Sequence, residues 1–316
     1  MGNPLSSITD LPPSNPALIL INPEAGSNKK PPGMLAQMRS LAAARRWPLE
    51  FQVTQNAEDW EKQAQQAIRD GRRVLLAMGG DGTFQSLVNA AIGADVILGV
   101  VPTGGGNDFA ASLGLPRDPL LALEKIVHGK IQRVDLALAK TADGRERYYA
   151  GGGGVGLDSA AARYAGNEYR HVPGRSRYVM AALHALKGFE SLNVSVEFPD
   201  GNQHGVNAKV LMASVLNSAT YGGGVRLAPE ARIDDGLLHV VLLEDLRMLE
   251  IAGMVPRLLA SGELRTPRIN RMKTTRVRLT TDRPCLFHGD GELLGPAPVE
   301  VAVVPGAIQV LVPTQK

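Results

Sequence analysis

The 316-residue chain is poor in two kinds of residue: it contains one cysteine, Cys285, and aromatic residues make up only 4% of it. A single cysteine excludes an internal disulfide framework and a cysteine-rich zinc site. Long apolar runs are also missing, since stretches such as 74–78 and 96–101 are far shorter than the roughly 18 residues that span a bilayer. The first 16 residues show neither the basic nor the apolar region of a secretory signal. These absences predict a cytoplasmic protein whose membrane contact is at most peripheral.

Charge is nearly balanced, with 34 Lys+Arg against 31 Asp+Glu, and the 44% of hydrophobic residues can bury a core. That composition excludes a disordered chain. Glycine is abundant: the 35 glycines are about 11% of the chain, against roughly 7% in average proteins. They follow no three-residue period, which excludes collagen. The length favours two domains.

The first 135 residues alternate apolar runs with amphipathic stretches. Strands are predicted at 17–21, 49–53, 74–77 and 96–101, and helices at 34–46, 57–69 and 84–92. This rhythm predicts a doubly wound parallel α/β domain over residues 1–135.

From residue 136 to 316 the pattern becomes β-like with Asp-Gly turn signals. The predicted strands are 194–198, 209–216, 238–243, 276–279, 299–304 and 308–312, and two helices interrupt them at 178–189 and 246–260. The second domain is therefore predicted to be mostly antiparallel.

Polar, glycine-rich loops follow three of the predicted parallel strands. They cover residues 22–27, 79–83 and 102–108, and Thr54 closes the second strand at the same edge. Because ligands of doubly wound sheets bind at the carboxyl ends of the strands, these loops are the predicted ligand site.

The loop Gly79-Gly80-Asp81-Gly82-Thr83 lies between a strand and a helix. Its N–H groups and the helix N-terminus suit a phosphate, although the tract is neither a Walker A loop nor GxGxxG. Asp81 makes sense if Mg²⁺ bridges its carboxylate to the phosphates; alternatively it caps the next helix. The loop Pro102 to Phe109 is a second glycine-rich connection between a strand and a helix. Its glycines Gly104, Gly105 and Gly106 allow the backbone to approach a ligand closely, and Asn107 could cap the helix that follows.

Several features in the second half of the chain can be explained by structure alone. Residues 286–294 read as a hairpin with an Asp290-Gly291 turn, and Asp235-Gly236 reads similarly. His288 is expected to be a packing or solvent residue. Basic residues gather between 157 and 178 and between 256 and 283, where they could face anionic lipid headgroups or simply be solvated. Nucleic acid is not predicted, because aromatic residues do not interleave with these patches.

Taken together, several motifs resemble the bacterial diacylglycerol kinase and sphingosine kinase-like lipid kinase family. GGDGT alone is shared with NAD kinases, so the combination carries the resemblance. The motifs are Asn22 to Gly26, Gly79 to Thr83, Pro102 to Ala110, Tyr221 to Gly224, Pro229 to Leu238 and Asp290 to Glu292.

The resemblance implies an ATP-dependent kinase with an N-terminal nucleotide-binding domain, a C-terminal antiparallel β-sandwich that takes the lipid substrate, and an active site in the interdomain cleft. The implied reaction transfers the γ-phosphate of MgATP to a lipid hydroxyl, with diacylglycerol as the default acceptor and phosphatidate as product. Its implied partners are a nucleotide and a lipid at the membrane surface. The oligomeric state stays open, a homodimer included.

Carried over by position, Asp290 is the implied general base, and Glu292, Asp81 and Asp108 belong to a metal-linked acidic network. A structural Mg²⁺ falls on Asp235 with the backbone carbonyls of Arg232 and Leu237. The implied ATP contacts are Asn22, Thr54, Gly79, Gly80, Asp81, Gly82, Thr83, Gly104, Gly105, Gly106 and Asn107.

Two departures from the family pattern bear on nucleotide and metal affinity. Gly105 stands where the family usually has threonine, and Gln85-Ser86 stand where it has Asn-Glu. The alternatives are therefore an NAD kinase-like or other small-alcohol kinase on the same fold, or a non-catalytic nucleotide or lipid sensor.

Overall fold

The computed structural model describes residues 7–23, 33–54, 59–172, 175–201 and 203–314. The chain divides into two compact units, Met1–Val134 with Ala307–Lys316 and Asp135–Gly306. Elements that lie in the first unit are a 3₁₀ turn at Ile8–Asp10, β1 (Ala17–Ile21), α1 (Met34–Arg45), β2 (Leu49–Val53), α2 (Trp60–Arg69), β3 (Val74–Gly79), α3 (Asp81–Ala91), β4 (Ile97–Pro102), α4 (Asp108–Ser112) and α5 (Pro119–Val127).

Two strands, β5 and β15, carry the chain from one unit to the other. The remaining elements, in chain order, are β5 (Lys130–Lys140), β6 (Glu146–Tyr149), β7 (Gly152–Gly156), α6 (Leu157–Gly166), α7 (Arg175–Ala185), β8 (Leu192–Glu197), β9 (Val206–Leu216), β10 (Leu238–Glu244), α8 (Met248–Ser261), β11 (Ile269–Thr274), β12 (Arg276–Thr281), β13 (Leu286–Gly289), β14 (Glu292–Pro296) and β15 (Val299–Val312).

The first unit contains a parallel sheet in the order β2, β1, β3, β4 and the end of β15. Strands β1, β3 and β4 are buried along their whole length. That burial explains their continuous apolar sequence, which is typical of parallel strands covered on both faces. Since β2 and β3 flank β1, the strand order reverses between β1 and β3, which is the switch point where doubly wound sheets bind ligands. The predicted doubly wound fold is confirmed.

The second unit is built from antiparallel pairs, and β10 shows how its cores form. Val240 and Leu242 lie in one apolar core, whereas Val241 and Leu243 lie in another. Because successive side chains of a strand point to opposite faces, β10 is buried on both sides. It pairs with β9 on one edge and β11 on the other. A mostly antiparallel second domain is therefore confirmed.

The predicted domain boundary needs a correction at the C-terminus. Residues 299–304 and 308–312 were expected to form two strands of the second domain, but they form one continuous strand, β15. Its end pairs in parallel with β4, Gln309 with Ile97 and Val310 with Leu98. Residues 307–316 thus group with the first unit, because a buried parallel strand completes that sheet.

Several elements were missed by the sequence patterns. Helix α5 has a clear signal, since Asp118 caps it by accepting the N–H of Leu121 at 2.9 Å and Pro119 occupies its first position. Strand β7 is harder to find because it is mostly glycine, a residue depleted in strands. The helix predicted from residue 57 begins at Trp60, and residues 57–58 lie outside the described part.

Among the described residues, no helix is long and apolar enough to cross a membrane.

We expect Val310→Ala to destabilise the first unit selectively. Val310 is fully buried against β4, so loss of its methyl groups should cost about 1–3 kcal/mol. Hydrogen exchange should accelerate in β3 and β4 but not in β9 and β10. Gln309→Ala, next to it and partly exposed, is the control. Equal loss of protection in both units would contradict the assignment of this strand.

Candidate functional site

At the switch point, side chains join the end of β2 to β1 and the end of β1 to the first glycine loop. Asn22 Nδ2 donates to Thr83 Oγ1 at 3.3 Å. Thr54 is buried, and its Oγ1 donates to the Ile21 carbonyl at 3.1 Å. The structure thus brings Asn22, Thr54 and Thr83 together, as their places in the sequence predicted. The rest of the motif after Asn22, residues 24–26, lies outside the described residues.

The two glycine loops pack backbone against backbone. A Cβ on Gly104 would lie 2.5 Å from the Cα of Gly80, and a Cβ on Gly79 would lie 2.4 Å from Thr83. The Thr103 N–H donates to the Gly79 carbonyl at 2.8 Å. Glycine is therefore required at Gly104 by contact between the loops and at Gly79 by contact within its own loop, whatever the loops bind.

Asn107 holds the second loop and does not cap the helix that follows. Its Oδ1 accepts the Gly104 N–H and its Nδ2 donates to the Gly104 carbonyl, both at 2.9 Å. Its backbone is left-handed, with φ 57°, a conformation that asparagine tolerates better than most residues. The predicted nucleotide-contact residues Gly104, Gly105, Gly106 and Asn107 thus form one loop whose first glycine is clamped by Asn107.

Asp81 occupies an unexpected place. The helix predicted to begin at Phe84 begins at Asp81 itself, because the glycine loop winds directly into α3. The Asp81 carboxylate does not cap this helix; it accepts the Phe109 N–H at 3.1 Å and also the N–H groups of Asn107 and Asp108. Asp81 therefore caps the neighbouring helix α4 and joins the two loops.

Burial raises the pKa of the Asp81 carboxyl group above its usual value, and the backbone N–H donors offset this only in part. Asp108, the next acidic residue of the predicted network, is itself buried. A buried carboxyl group at Asp108 and a half-buried one at Asp81 favour a positive partner, because burial penalises the charged form. This is the environment that a divalent cation would relieve.

Gln85 and Ser86, which form one of the two departures from the family pattern, lie in the first two turns of α3, whereas Gly105 lies in the second glycine loop. Gln85 is fully buried, and the Ser86 hydroxyl donates to the Gly82 carbonyl at 3.1 Å. Beside them, Phe84 stacks on Phe109 with ring centroids 4.6 Å apart. This stacking packs α3 against α4 and fixes the spacing of the two loops.

In the second unit, Asp290 lies in the predicted hairpin turn between β13 and β14, with φ 49°, followed by Gly291 with φ 90°. Its carboxylate accepts three backbone N–H groups, from Ala150 at 2.7 Å, Gly151 at 2.9 Å and Gly152 at 3.1 Å. Such donors stabilise the carboxylate anion and fix its direction. A turn aspartate needs no such cradle, so the simple turn interpretation does not account for it.

The glycines beside Asp290 allow their segment to lie close to the turn that contains Asp290. A Cβ on Gly151 would lie 2.9 Å from Asp290 Oδ1, and one on Gly153 would lie 2.3 Å from the His288 carbonyl. Next to them, burial and then the charge of Asp290 raise the pKa of Tyr149 well above its usual value. Glu292 begins β14 and is exposed.

A buried polar cluster that the sequence did not reveal lies behind this turn. His288 Nε2 is 2.5 Å from the Tyr221 hydroxyl and 3.6 Å from Asp158 Oδ2. Ser214 Oγ donates to the same Asp158 oxygen at 2.7 Å. His288 is thus buried as the packing prediction expected, but it also contacts buried polar groups. Asp158 carried no motif signal.

The turn proposed to hold a structural cation is closed by hydrogen bonds. Asp235 accepts the N–H groups of Arg232 at 3.3 Å and Leu237 at 3.0 Å, and His239 Nε2 lies 3.3 Å from its Oδ2. These three residues do meet, but through N–H groups that present positive charge to the carboxylate. These contacts do not involve the backbone carbonyls of Arg232 and Leu237 that the predicted site uses, so the metal site at Asp235 stays a prediction. Among the described residues, no cluster of three or more His, Cys, Asp or Glu side chains could hold a metal.

Comparison with known proteins agrees with this geometry. Residues 16–139 match the model of the diacylglycerol kinase catalytic domain, and residues 153–312 match the YegS C-terminal NAD kinase beta sandwich-like domain. A solved structure from Bacillus anthracis str. Sterne, described as a diacylglycerol kinase, has a TM-score of 0.69 at 18% identity and covers 94% of this chain and 97% of that one. The fold is therefore that of the two-domain kinases with a C-terminal β-sandwich.

Two relatives narrow the class. A diacylglycerol kinase of Mycobacterium tuberculosis (strain H37Rv) is 29% identical over 78% of this chain and 79% of its own length. A "Probable lipid kinase YegS-like" of Stenotrophomonas maltophilia (strain K279a) is 31% identical over 84% of this chain and 87% of its own. The chain belongs to the diacylglycerol kinase and YegS-like lipid kinase family.

We expect Gly151→Ala to displace Asp290, because the new methyl group would press on its Oδ1. Overpacking of this kind should lower the free energy of unfolding by about 1–3 kcal/mol. Thermal melting measures the change. The matched control is Gly166→Ala at the end of α6, where a Cβ meets nothing within 4 Å. Equal melting temperatures for the two variants would contradict the close approach described above.

Proposed function

We propose that the protein is an ATP-dependent lipid kinase that transfers the γ-phosphate of MgATP to a lipid hydroxyl, with diacylglycerol as the default acceptor and phosphatidate as product. The observation that carries the proposal is the Asp290 carboxylate, fixed by three backbone N–H groups in a glycine-rich cradle. Membership of the lipid kinase family supports it.

The first unit would hold the nucleotide. In the described structure no side chain caps α3, whose N-cap is Gly80, so its first-turn N–H groups suit phosphate oxygens. Asn22, Thr54 and Thr83 lie at the same edge of the sheet. Phosphoryl transfer needs chiefly charge neutralisation and alignment, and backbone donors without side chains in the way supply both.

Asp81 and Asp108 fit the Mg²⁺ that accompanies ATP, because they are acidic groups on the two loops and burial raises the pKa of Asp81. When bound, the ion would neutralise phosphate charge. The protein's own part is to hold these carboxylates in place, which the hydrogen bond from the Phe109 N–H to Asp81 does.

Asp290 would accept the proton of the acceptor hydroxyl. A carboxylate is a weak base toward an alcohol, so its main contribution is position. The cradle of Ala150, Gly151 and Gly152 supplies that position, since it prevents the side chain from rotating. Glu292, which starts the next strand, stays the predicted second carboxylate of this unit.

The lipid substrate would be met through a surface of α7 and α8 in the second unit. These two helices pack together and expose Met180, Leu183, Leu249 and Leu259, Leu249 to 87%. Arg163 and Arg170 precede α7 and Arg177 lies in its first turn, and no carboxylate in the described part of the chain pairs with them. Apolar side chains beside cations that have no carboxylate partner suit an anionic membrane surface.

The second basic cluster contributes less to this surface. Most of its cations are paired with carboxylates, as in Arg268 with Glu250 and Arg283 with Glu190. Paired charges attract anionic headgroups weakly, so the segment between residues 157 and 178 is the one we propose to face the membrane.

The function is tested with ATP radiolabelled on its γ-phosphate, offered with Mg²⁺ and either dispersed diacylglycerol or NAD. We expect label in phosphatidate. Asp290→Asn should lower the rate about 10²- to 10⁴-fold, because the base is lost. ATP affinity should be unchanged, because the nucleotide groups lie in the first unit. Asp143→Asn, at another Asp-Gly turn of the second unit, should leave the rate near that of the unaltered chain.

Label in NAD would identify an NAD kinase instead, and ATP binding without any labelled product would identify a sensor. An active Asp290→Asn variant that binds ATP normally would remove Asp290 from the mechanism.

Leu249→Glu should weaken binding to anionic vesicles about tenfold. It replaces an apolar side chain that would be buried in the membrane with a negative charge that the anionic surface repels. Vesicle sedimentation measures this. Leu121→Glu, at a leucine of the first unit exposed to 54%, is the control. If both variants bind vesicles like the unaltered chain, the α7 and α8 surface is not the docking site.

A further inference from the structure

The second unit contains a cavity of about 850 Å³ that none of the predicted site residues line. Its walls are β10 and β11, the segment 226–230 and the loop 263–267. That volume lies within the range of small-molecule sites. Four cations line it, Arg226, Arg265, Arg271 and Lys273, against two carboxylates, Glu230 and Glu263.

Hydrogen bonds fasten the three walls together. Arg271 and Lys273 are two residues apart on β11, so their side chains share one face of the strand. Arg271 Nε donates to the Leu227 carbonyl at 2.7 Å, and Lys273 Nζ lies 2.9 Å from Glu230 Oε2. The third wall is attached through the Arg226 N–H, which donates to the Gly262 carbonyl at 2.7 Å.

The charges in this cavity do not cancel. Lys273 pairs with Glu230, and Arg265 Nη2 lies 2.9 Å from Glu263 Oε2. Arg226 and Arg271 remain, and no carboxylate of the described residues lies within ion-pair distance of either. The pKa of Glu230 is lowered, first by Lys273 and further by His239 and Arg271, which agrees with an excess of positive charge around it.

We propose that this cavity binds a phosphomonoester group. Two guanidinium groups without a carboxylate partner, on two walls of one cavity, match a dianion with three oxygens, because guanidinium binds phosphate through paired N–H donors. Ala228 and Leu264 offer apolar surface to an attached organic group. A solvated charged face would not need walls fastened to one another around its arginines.

The test is calorimetric titration of the full chain with inorganic phosphate and with glycerol 3-phosphate at constant ionic strength. We expect saturable binding of both, weakened about tenfold by Arg226→Met, since one charge-assisted contact is lost. Arg271→Lys should weaken binding less, because it keeps the charge and loses the fork. Arg278→Met, which removes another exposed arginine, on β12 and outside the cavity, is the control.

Phosphate held by the glycine loops of the first unit would be unaffected by these variants. Identical titrations for Arg226→Met and the unaltered chain would therefore overturn the proposal, and so would an equal effect of Arg278→Met. Because the Arg226 side chain is exposed and makes no hydrogen bond or ion pair within the described structure, its replacement should leave the melting temperature unchanged.

A second arm identifies the source of the group. Vesicles containing phosphatidate are compared with vesicles of equal charge containing phosphatidylglycerol, which has no phosphomonoester. Loss of phosphatidate preference in Arg226→Met would assign the cavity to a lipid headgroup. An unchanged preference, with weakened glycerol 3-phosphate binding, would assign it to a soluble ligand. Failure of kinase activity would affect neither result, since both measure binding alone.

Discussion

The candidate site residues of each unit depend on one kind of interaction, a carboxylate that accepts backbone N–H groups from a neighbouring segment. In the first unit, Asp81 accepts the N–H of Phe109 and so joins the two glycine loops. In the second, Asp290 accepts those of Ala150, Gly151 and Gly152. Charge-assisted bonds of this kind are strong and directional. They hold acidic groups in fixed positions that a flexible side chain could not keep.

This interaction explains why several of the abundant glycines lie in these loops. A side chain at Gly151 would press on Asp290, and one at Gly104 would collide with Gly80. Backbone N–H groups reach a carboxylate or a phosphate most closely where no Cβ intervenes. The same residues therefore build the structure and leave donors available to a ligand, as at the first turn of α3. The packing of these loops and their proposed binding of a ligand therefore depend on the same glycines.

The sequence patterns predicted the parallel strands well, because strands buried on both faces read as uninterrupted apolar runs, as at 74–79. They predicted the loops at the sheet edge because glycine and asparagine mark them. They failed at β7, where glycine replaces the usual β-formers. They also failed at residues 299–312, where two strands were predicted and one continuous strand forms. Asp158 and Tyr221 were not linked to His288, since their contact joins segments far apart in the chain.

By itself the sequence determined the alternation of strands and helices, the glycine loops and the acidic residues of the family motifs, because local periodicity and residue type are enough for these. Only the tertiary structure decided that Asp81 caps α4 and not its own helix, and that Asp290 sits in a cradle of N–H groups. It also decided that the last strand completes the first sheet, and that Arg226 and Arg271 line one cavity. Each of these depends on pairing between distant segments, and periodicity along the chain carries no information about which distant segments meet.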